Sequence, residues 1–426
     1  MKMEELYGIY RQYPSVQTDT RKLQKGDLYF ALKGPNFNGN SFAEKALAQG
    51  AAYAIIDEAE FAIEGKTILV ADVLETMQQL ALHHRRQFSI PFLAITGSNG
   101  KTTTKELVHA VLSTRFKTYT TEGNLNNHIG VPLTILKIRD DAEMAVIEMG
   151  ANHQKEIESY CRIALPTHGL ITNCGKAHLE GFGGVEGVRK GKGELFDFLR
   201  ENGGIIFRMN DYDYLHQMSR GIDKVFTYGT SDAGVAGHAT QSDPFLAVSF
   251  TKGFTGTIQT SLVGDYNLPN VLAAVAVGKA FGVADGQIKN SIEAYAPSNS
   301  RSQLVQKDSN KIILDAYNAN PSSMKAAIDN FAKAEGESKL LVLGAMAELG
   351  PESVQEHKAI IDAIGQHQWK AVLLVGGDFL KTPHAYQSFA KPEEAGEWLQ
   401  AQNIRNAFLL VKGSRSMQME KVLNYL

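Results

Sequence analysis

Cysteine is nearly absent: Cys161 and Cys174 are the two thiols in 426 residues. Two cannot build a disulfide framework, and they lack the C-x-x-C spacing of a redox or zinc pair. They fit inert packing in a reducing compartment. Long apolar runs are missing too, since none approaches the ~20 residues of a membrane span. The opening MKMEELYGIYRQYP mixes both charge signs without an apolar stretch, which argues against a secretory leader. Nor is there an excess of positive charge. Lys and Arg total 43 against 46 Asp and Glu, a formal net charge of -3, so nothing electrostatic points to a nucleic-acid partner. Internal repeats and low-complexity tracts are absent as well. What remains is the composition of a cytoplasmic globular protein, longer than one hydrophobic core usually serves, so two or three domains are expected.

Three regions follow from the patterning. In residues 1–88, strand-like DLYFAL, AAYAIID and TILVAD alternate with helix-like FAEKALAQGA and TMQQLALHHRRQF, the pattern of a small α/β unit. SIPF marks a hinge, because Pro91 discourages helix in the residue before it. Residues 89–297 read as a mostly parallel sheet with helices on both faces. Its strands are FLAIT, EMAVIEMG, HGLITN and GGIIFRMN, with antiparallel strands appended from GHATQSDPFLAVSF onward. NLPNVLAAVAVGKAFG closes that region as a helix with a strongly apolar face. Residues 298–426 carry NKIILDAYNANP, SKLLVLGAMAELG, KAVLLVGG and AFLLVKGSRS, a second Rossmann-like unit. The expected class is therefore α/β in three domains, with a P-loop-type sheet at the centre.

The chemistry concentrates in LAITGSNGKTTTKELVHAVL, residues 93–112. A strand runs into a glycine turn, then a lysine and three threonines open a helix. Free backbone amides and the helix dipole make such a turn an anion site. Gly97 and Gly100 permit close backbone approach, Lys101 would neutralise β- and γ-phosphates, and Thr102 would offer a hydroxyl to Mg²⁺. Yet G-x-x-x-x-G-K-[ST] requires glycine where Ile95 stands. Alone, the stretch supports a phosphate site or an ordinary βα turn.

Glu148 ends a strand in the position of a Walker-B acid, and acids also end strands for solubility. His178 follows the next strand in a glycine-rich loop, as a ligand or a solvated side chain. Arg189, Lys190 and Lys192 in GVRKGKGELF gather positive charge at what reads as a helix start, against the dipole. Either an anion binds there, one lysine is modified, or the face is solvated.

Taken together, GSNGKT, GNLNNHIGVPLTIL, VIEMGANHQKEI, AHLEGFG, KGELF, DAYNANPSSMKAAID and LVKGSRSMQME resemble the Mur ligases, ATP-dependent amide-forming enzymes of peptidoglycan synthesis, over the whole chain. Their phosphate loop is the shortened form, so Ile95 matches a family trait. DAYNANPSSM is the most discriminating stretch. It implies a ligase taking UDP-N-acetylmuramoyl-tripeptide and D-alanyl-D-alanine as partners, with ATP and two Mg²⁺ ions.

The resemblance assigns roles by position. Gly97, Ser98, Asn99, Gly100, Lys101, Thr102 and Thr103 would hold ATP phosphates, and Asn267 and Asn270 adenine. Thr102, Glu148, His178 and Lys192 would serve metal, Lys192 as a CO₂-derived carbamate. Arg301 and Asp315 would reach the nucleotide from the third domain. Asp19, Thr20 and Arg21 match the uridine-nucleotide segment. Asn124, Asn126, Asn127, Asn318, Asn320, Lys412, Ser414 and Arg415 would surround substrate, with Lys325 nearby. Lys101, Glu148, His178, Lys192, Arg301 and Arg415 form the expected catalytic set, and a monomer is the family-based expectation. Two departures stand out: Asn38-Gly39-Asn40 replaces the usual Asp-Gly-His, and Ala345 replaces a common aspartate. Folate polyglutamate ligases share the short loop but lack YNANP and KGSRS. A non-catalytic relative is countered by intact Lys101, Glu148, His178 and Lys192. The incomplete loop spacing and the lack of a separate guanine-reading motif argue against a P-loop kinase or GTPase.

Overall fold

The structure, a computed structural model, describes residues 2–298, 300–336 and 338–426. The chain folds around three main sheets. The first joins β1 (Val16–Gln17), β2 (Leu28–Phe30), β5 (Tyr53–Ile56) and β6 (Thr67–Leu69), all parallel and in that spatial order. Between β2 and β5 lies a small hairpin, β3 (Lys33–Gly34) with β4 (Phe37–Asn38). Asn38-Gly39-Asn40 follows the hairpin turn, running from the end of β4 into a short 3-10 helix. Buried Asn40 exchanges hydrogen bonds with Asp57, its Nδ2 giving 2.8 Å to Oδ1 and its Oδ1 accepting 3.0 Å from the Asp57 amide. In this chain the segment is a clamp that fixes the hairpin to the end of β5.

The Val73–Arg85 helix leaves this unit and locks it to the next. Asp72 caps it by accepting from the Glu75 amide at 2.7 Å. At its other end, the buried Arg85 guanidinium donates to the carbonyls of Ala164 (2.7 Å) and Leu165 (2.8 Å) and covers the Phe92 ring at 3.6 Å. Those carbonyls belong to a helix C-terminus, where a cation is favoured.

The central sheet holds β7 (Phe92–Thr96), β8 (Thr118–Thr120), β9 (Met144–Glu148), β10 (His168–Ile171), β11 (Ile205–Met209), β12 (Lys224–Gly229), β13 (Val235–Gln241), β14 (Phe245–Lys252) and β15 (Thr257–Val263). Its order is β15-β14-β13-β12-β11-β10-β7-β9-β8. Pairing is parallel from β8 to β13 and antiparallel across β13, β14 and β15. β7 and β9 are buried at every residue, as a sheet covered on both faces demands. The Leu268–Ala280 helix differs from the sequence expectation of one apolar face: Asn270 through Gly278 are all buried. Gly278 allows Val111 of the Lys101–Leu112 helix to approach, since a Cβ there would lie 2.6 Å from Val111 Cγ1.

The third sheet runs β16 (Gln303–Lys307), β17 (Asn310–Asp315), β21 (Phe408–Lys412), β18 (Lys339–Gly344), β19 (Ala371–Val375) and β20 (Gln387–Phe389). Only β16 is antiparallel to its neighbour. Buried Ala345 follows β18 with its methyl close to Gly377, so that position carries no carboxylate. The class is the expected α/β with a mostly parallel central sheet. Among the described residues no helix is long and apolar enough to cross a membrane.

Candidate active site

β7 sits between β10 and β9, where the strand order reverses, and open α/β sheets bind ligands outside the carboxyl ends of strands at such a point. Register brings the ends level: Ile95 faces Glu148, and Thr96 faces Ile171. The loop Gly97–Gly100 leaves β7 and enters the Lys101–Leu112 helix. Gly97 has φ 145, and a Cβ there would fall 1.9 Å from Thr172 Oγ1. Gly100 has φ 78, and a Cβ would meet Asn270 Oδ1 at 2.5 Å. Both positions therefore need glycine. The segment after β10 braces the loop. Ser98 and Asn99 amides donate to Asn173 at 2.9 and 3.1 Å, and Thr172 Oγ1 donates to the Asn99 carbonyl at 2.6 Å.

Lys101 Nζ donates to the carbonyls of Gly97 (2.8 Å) and Ser98 (3.2 Å). Burial holds its pKa below lysine's usual value, with Glu148 opposing that shift. Thr102 Oγ1 donates to Glu148 Oε1 at 3.1 Å, and Asn126 Nδ2 donates to the same oxygen at 2.7 Å. Glu148 is wholly buried, and its Oε2 has no hydrogen-bond partner among the described residues. A buried, unpaired carboxylate oxygen beside a hydroxyl suits a hard cation. No group of three His, Cys, Asp or Glu side chains gathers for a metal among the described residues.

A cavity of about 910 Å³ opens above this loop. The whole loop from Ser98 to Thr103 lines it, together with Asn124, Asn126, Asn127, Glu148, His178, Asn267 and Asn270. Asn270 is tied to Thr104 Oγ1 (3.0 Å) and to Asn267 (2.8 Å). The third domain contributes Arg301, Asp315, Asn318, Asn320 and Lys412. Asp315 and Lys412 are register partners at the ends of β17 and β21, joined by a 2.5 Å ion pair. The Arg301 guanidinium carbon sits over the Tyr317 ring, 3.5 Å from its centroid, a cation–π platform. Asn320 caps the Pro321–Lys333 helix through the Ser323 amide (2.9 Å) and donates Nδ2 to Asn99 Oδ1 at 2.7 Å. One residue thus starts a third-domain helix and touches the glycine loop.

His178 lines the same cavity, but its Nδ1 sits against the Glu348 carboxylate of the third domain. That contact holds Glu348 below the usual carboxylate pKa. Nearby, Lys176 pairs with Glu356 at 2.5 Å, and its amide donates to Ser322 Oγ at 3.0 Å. The loop after β10 therefore docks the third domain.

Lys192 lies behind the cavity wall, 1 % exposed. Its Nζ donates to the Ala151 carbonyl at 2.9 Å and faces the Phe182 ring at 4.9 Å. Burial first, then neighbouring Lys101, lowers its pKa to about 7. The helix carrying it begins at Val185, so Arg189, Lys190 and Lys192 occupy its second turn rather than its start. The expected conflict with the helix dipole is absent, because the dipole acts within the first turn. Arg189 is instead paired with Glu186 at 2.7 Å.

Other expected residues stand apart. Asp19 and Arg21 form a local fork at 2.8–3.2 Å in the first domain and, with Thr20, lie outside this cavity's lining. Ser414 is buried, accepting from the Ala347 amide at 2.8 Å. Lys325 pairs with Asp329 on its own helix. Arg415 lines a second cavity beside the first. Sequence reasoning missed Tyr317, Lys176 and Glu348. Tyr317 stood within DAYNANP and could have been flagged as an aromatic platform; Lys176 and Glu348 act through a domain contact that no local pattern encodes.

Family models match three stretches: a Mur ligase family catalytic domain at residues 12–86, a Mur ligase middle domain at 95–278, and a Mur ligase glutamate ligase domain at 300–415. The chain is 36% identical over 423 residues to the UDP-N-acetylmuramoyl-tripeptide–D-alanyl-D-alanine ligase of Bacillus subtilis strain 168, covering 96% of this chain and 92% of that protein. The crystal structure of MurF from Acinetobacter baumannii superposes with a TM-score of 0.87 at 30% identity, over 96% of this chain and 92% of that one. MurF ligase from Thermotoga maritima, in complex with ADP, gives 0.86 at 25% identity and 96% of each chain.

Proposed function

The chain belongs to the Mur ligase family, and on that premise we propose that it joins D-alanyl-D-alanine to UDP-N-acetylmuramoyl-tripeptide, using ATP. The single observation that carries this is the braced glycine loop, with Lys101 and the Thr102–Glu148 pair opening into a cavity that third-domain side chains complete.

A carboxylate is a poor electrophile, so amide formation needs it activated. The γ-phosphoryl group of ATP passes to the tripeptide's terminal carboxylate, the dipeptide amine attacks the acyl phosphate, and phosphate leaves. Loop amides and the helix N-terminus hold phosphate oxygens, and Lys101 offsets their charge. Asn267 and Asn270 face the adenine side. The Arg301–Tyr317 platform and the Asp315–Lys412 pair bring polar groups from the third domain. An acyl phosphate hydrolyses readily, so docking through Asn320, Lys176 and Glu348 serves to exclude water.

Thr102 Oγ1 and Glu148 would hold one Mg²⁺; when bound, it draws charge from the phosphate oxygens. We assign Lys192 as the site of carbamate formation and as a ligand for a second ion. A dry lysine near neutrality presents an uncharged amine, to which CO₂ adds with release of one proton. His178 is a candidate for that ion when its contact with Glu348 opens. The family resemblance implies a monomer as the working unit. ATP and nucleotide-linked sugars are cytoplasmic pools, which supports that location. Phosphate release measured with and without dipeptide tests the proposal: release should depend on the dipeptide, and equal release without it would refute the reaction.

A further inference from the structure

Next to the phosphate cavity lies a smaller one of about 510 Å³. Thr102, Asn124, Arg301 and Tyr317 line both, so the two chambers share a wall. The smaller one adds Glu106, Arg415 and Glu420. Two arginines and two glutamates make its charge formally balanced. That balance suits a zwitterion better than a polyanion.

The two carboxylates differ in what they have free. Glu106 Oε2 accepts the Tyr295 hydroxyl at 2.5 Å, and its Oε1 lies 3.6 Å from Lys105 Nζ. Glu420 Oε1 accepts Arg415 Nη1 at 3.0 Å. Glu420 Oε2 is buried and has no hydrogen-bond partner among the described residues. A buried carboxylate oxygen left unpaired is unfavourable unless a donor arrives. Of the groups a zwitterion carries, the donor that matches a carboxylate in charge is its ammonium group.

We propose that Glu420 receives the ammonium of the incoming dipeptide, while Arg301 and Arg415 face its carboxylate. Glu420 thereby selects zwitterionic nucleophiles and acts as a substrate-positioning residue. This rests on the ligase reading above, and the test separates the two.

The probes are D-alanyl-D-alanine and N-propionyl-D-alanine, which has the same skeleton without the amine. In the wild-type protein, inhibition by the propionyl compound should be weaker than dipeptide binding by about tenfold or more, the worth of one charge-assisted hydrogen bond. In Glu420→Gln the dipeptide KM should rise by about the same factor, with KM for ATP and UDP-tripeptide unchanged, and the preference for the amine should largely vanish. Glu420→Asp should recover part of it. A wild-type protein that ligates the dipeptide yet binds both probes equally overturns the inference, even if Glu420→Gln does not fold. So does an unchanged dipeptide KM in a folded Glu420→Gln. A wild-type protein that ligates no dipeptide overturns the ligase reading, and this inference with it.

Discussion

Replacing Lys192 by methionine, which keeps the length and removes the charge, should change stability in a way that depends on pH. The folded lysine has its pKa lowered from 10.5 to about 7 by burial and by Lys101. Above pH 10.5 both folded and unfolded chains carry a neutral amine, so the shift has no effect on stability. As pH falls toward 7 the unfolded chain takes up a proton that the folded chain refuses, and stability drops by about 4 kcal/mol. Lys192→Met escapes this loss. In CO₂-free buffer, urea unfolding should find the variant more stable by about 4 kcal/mol at pH 7 and by less than ~1 kcal/mol at pH 10.5. The same shift makes about half of Lys192 neutral at pH 7, against roughly one in 3,000 for an ordinary lysine. ¹³C-bicarbonate should then give a carbamate resonance in the wild type that is absent from Lys192→Met. A stability difference that does not change with pH would refute the buried-amine account, and a carbamate signal surviving in Lys192→Met would refute the assignment.

Other perturbations are more local. Gly97→Ala places a Cβ 1.9 Å from Thr172 Oγ1; calorimetry should find ADP affinity reduced at least about tenfold because the loop must move. Glu148→Gln removes the charge opposite Thr102; ligation should fall by about 10²-fold or more while metal-free ADP binding persists. Asn320→Ala loses both the helix cap and the bond to Asn99; third-domain stability should drop by about 1–2 kcal/mol, read from Trp369 and Trp398 fluorescence on unfolding.

Much of this was legible in the chain itself, for a physical reason. Strands buried on both faces are continuous apolar runs, and FLAIT was read with the bounds that the structure gives β7. β8 and β20 were missed because three residues at a sheet edge carry no periodicity. β12 was missed too: it alternates exposed and half-buried residues along its first four positions, so it presents no continuous apolar run. The Leu268–Ala280 helix was read as one-faced, yet neighbours cover it on every side. At the site, the loop, Thr102 and Glu148 were legible because a motif places them within a few residues of strand ends. His178 against Glu348, and the free oxygen of Glu420, depend on how the third domain docks. Local spacing has no access to that.

The most direct measurement is mass spectrometry of products formed from ATP and UDP-N-acetylmuramoyl-tripeptide with D-alanyl-D-alanine, D-glutamate or a diamino acid as competing nucleophiles. The account predicts one new nucleotide-linked species, the pentapeptide, formed in step with ADP and phosphate. A product carrying glutamate or the diamino acid, or ADP formed at the same rate without any nucleophile, would contradict it.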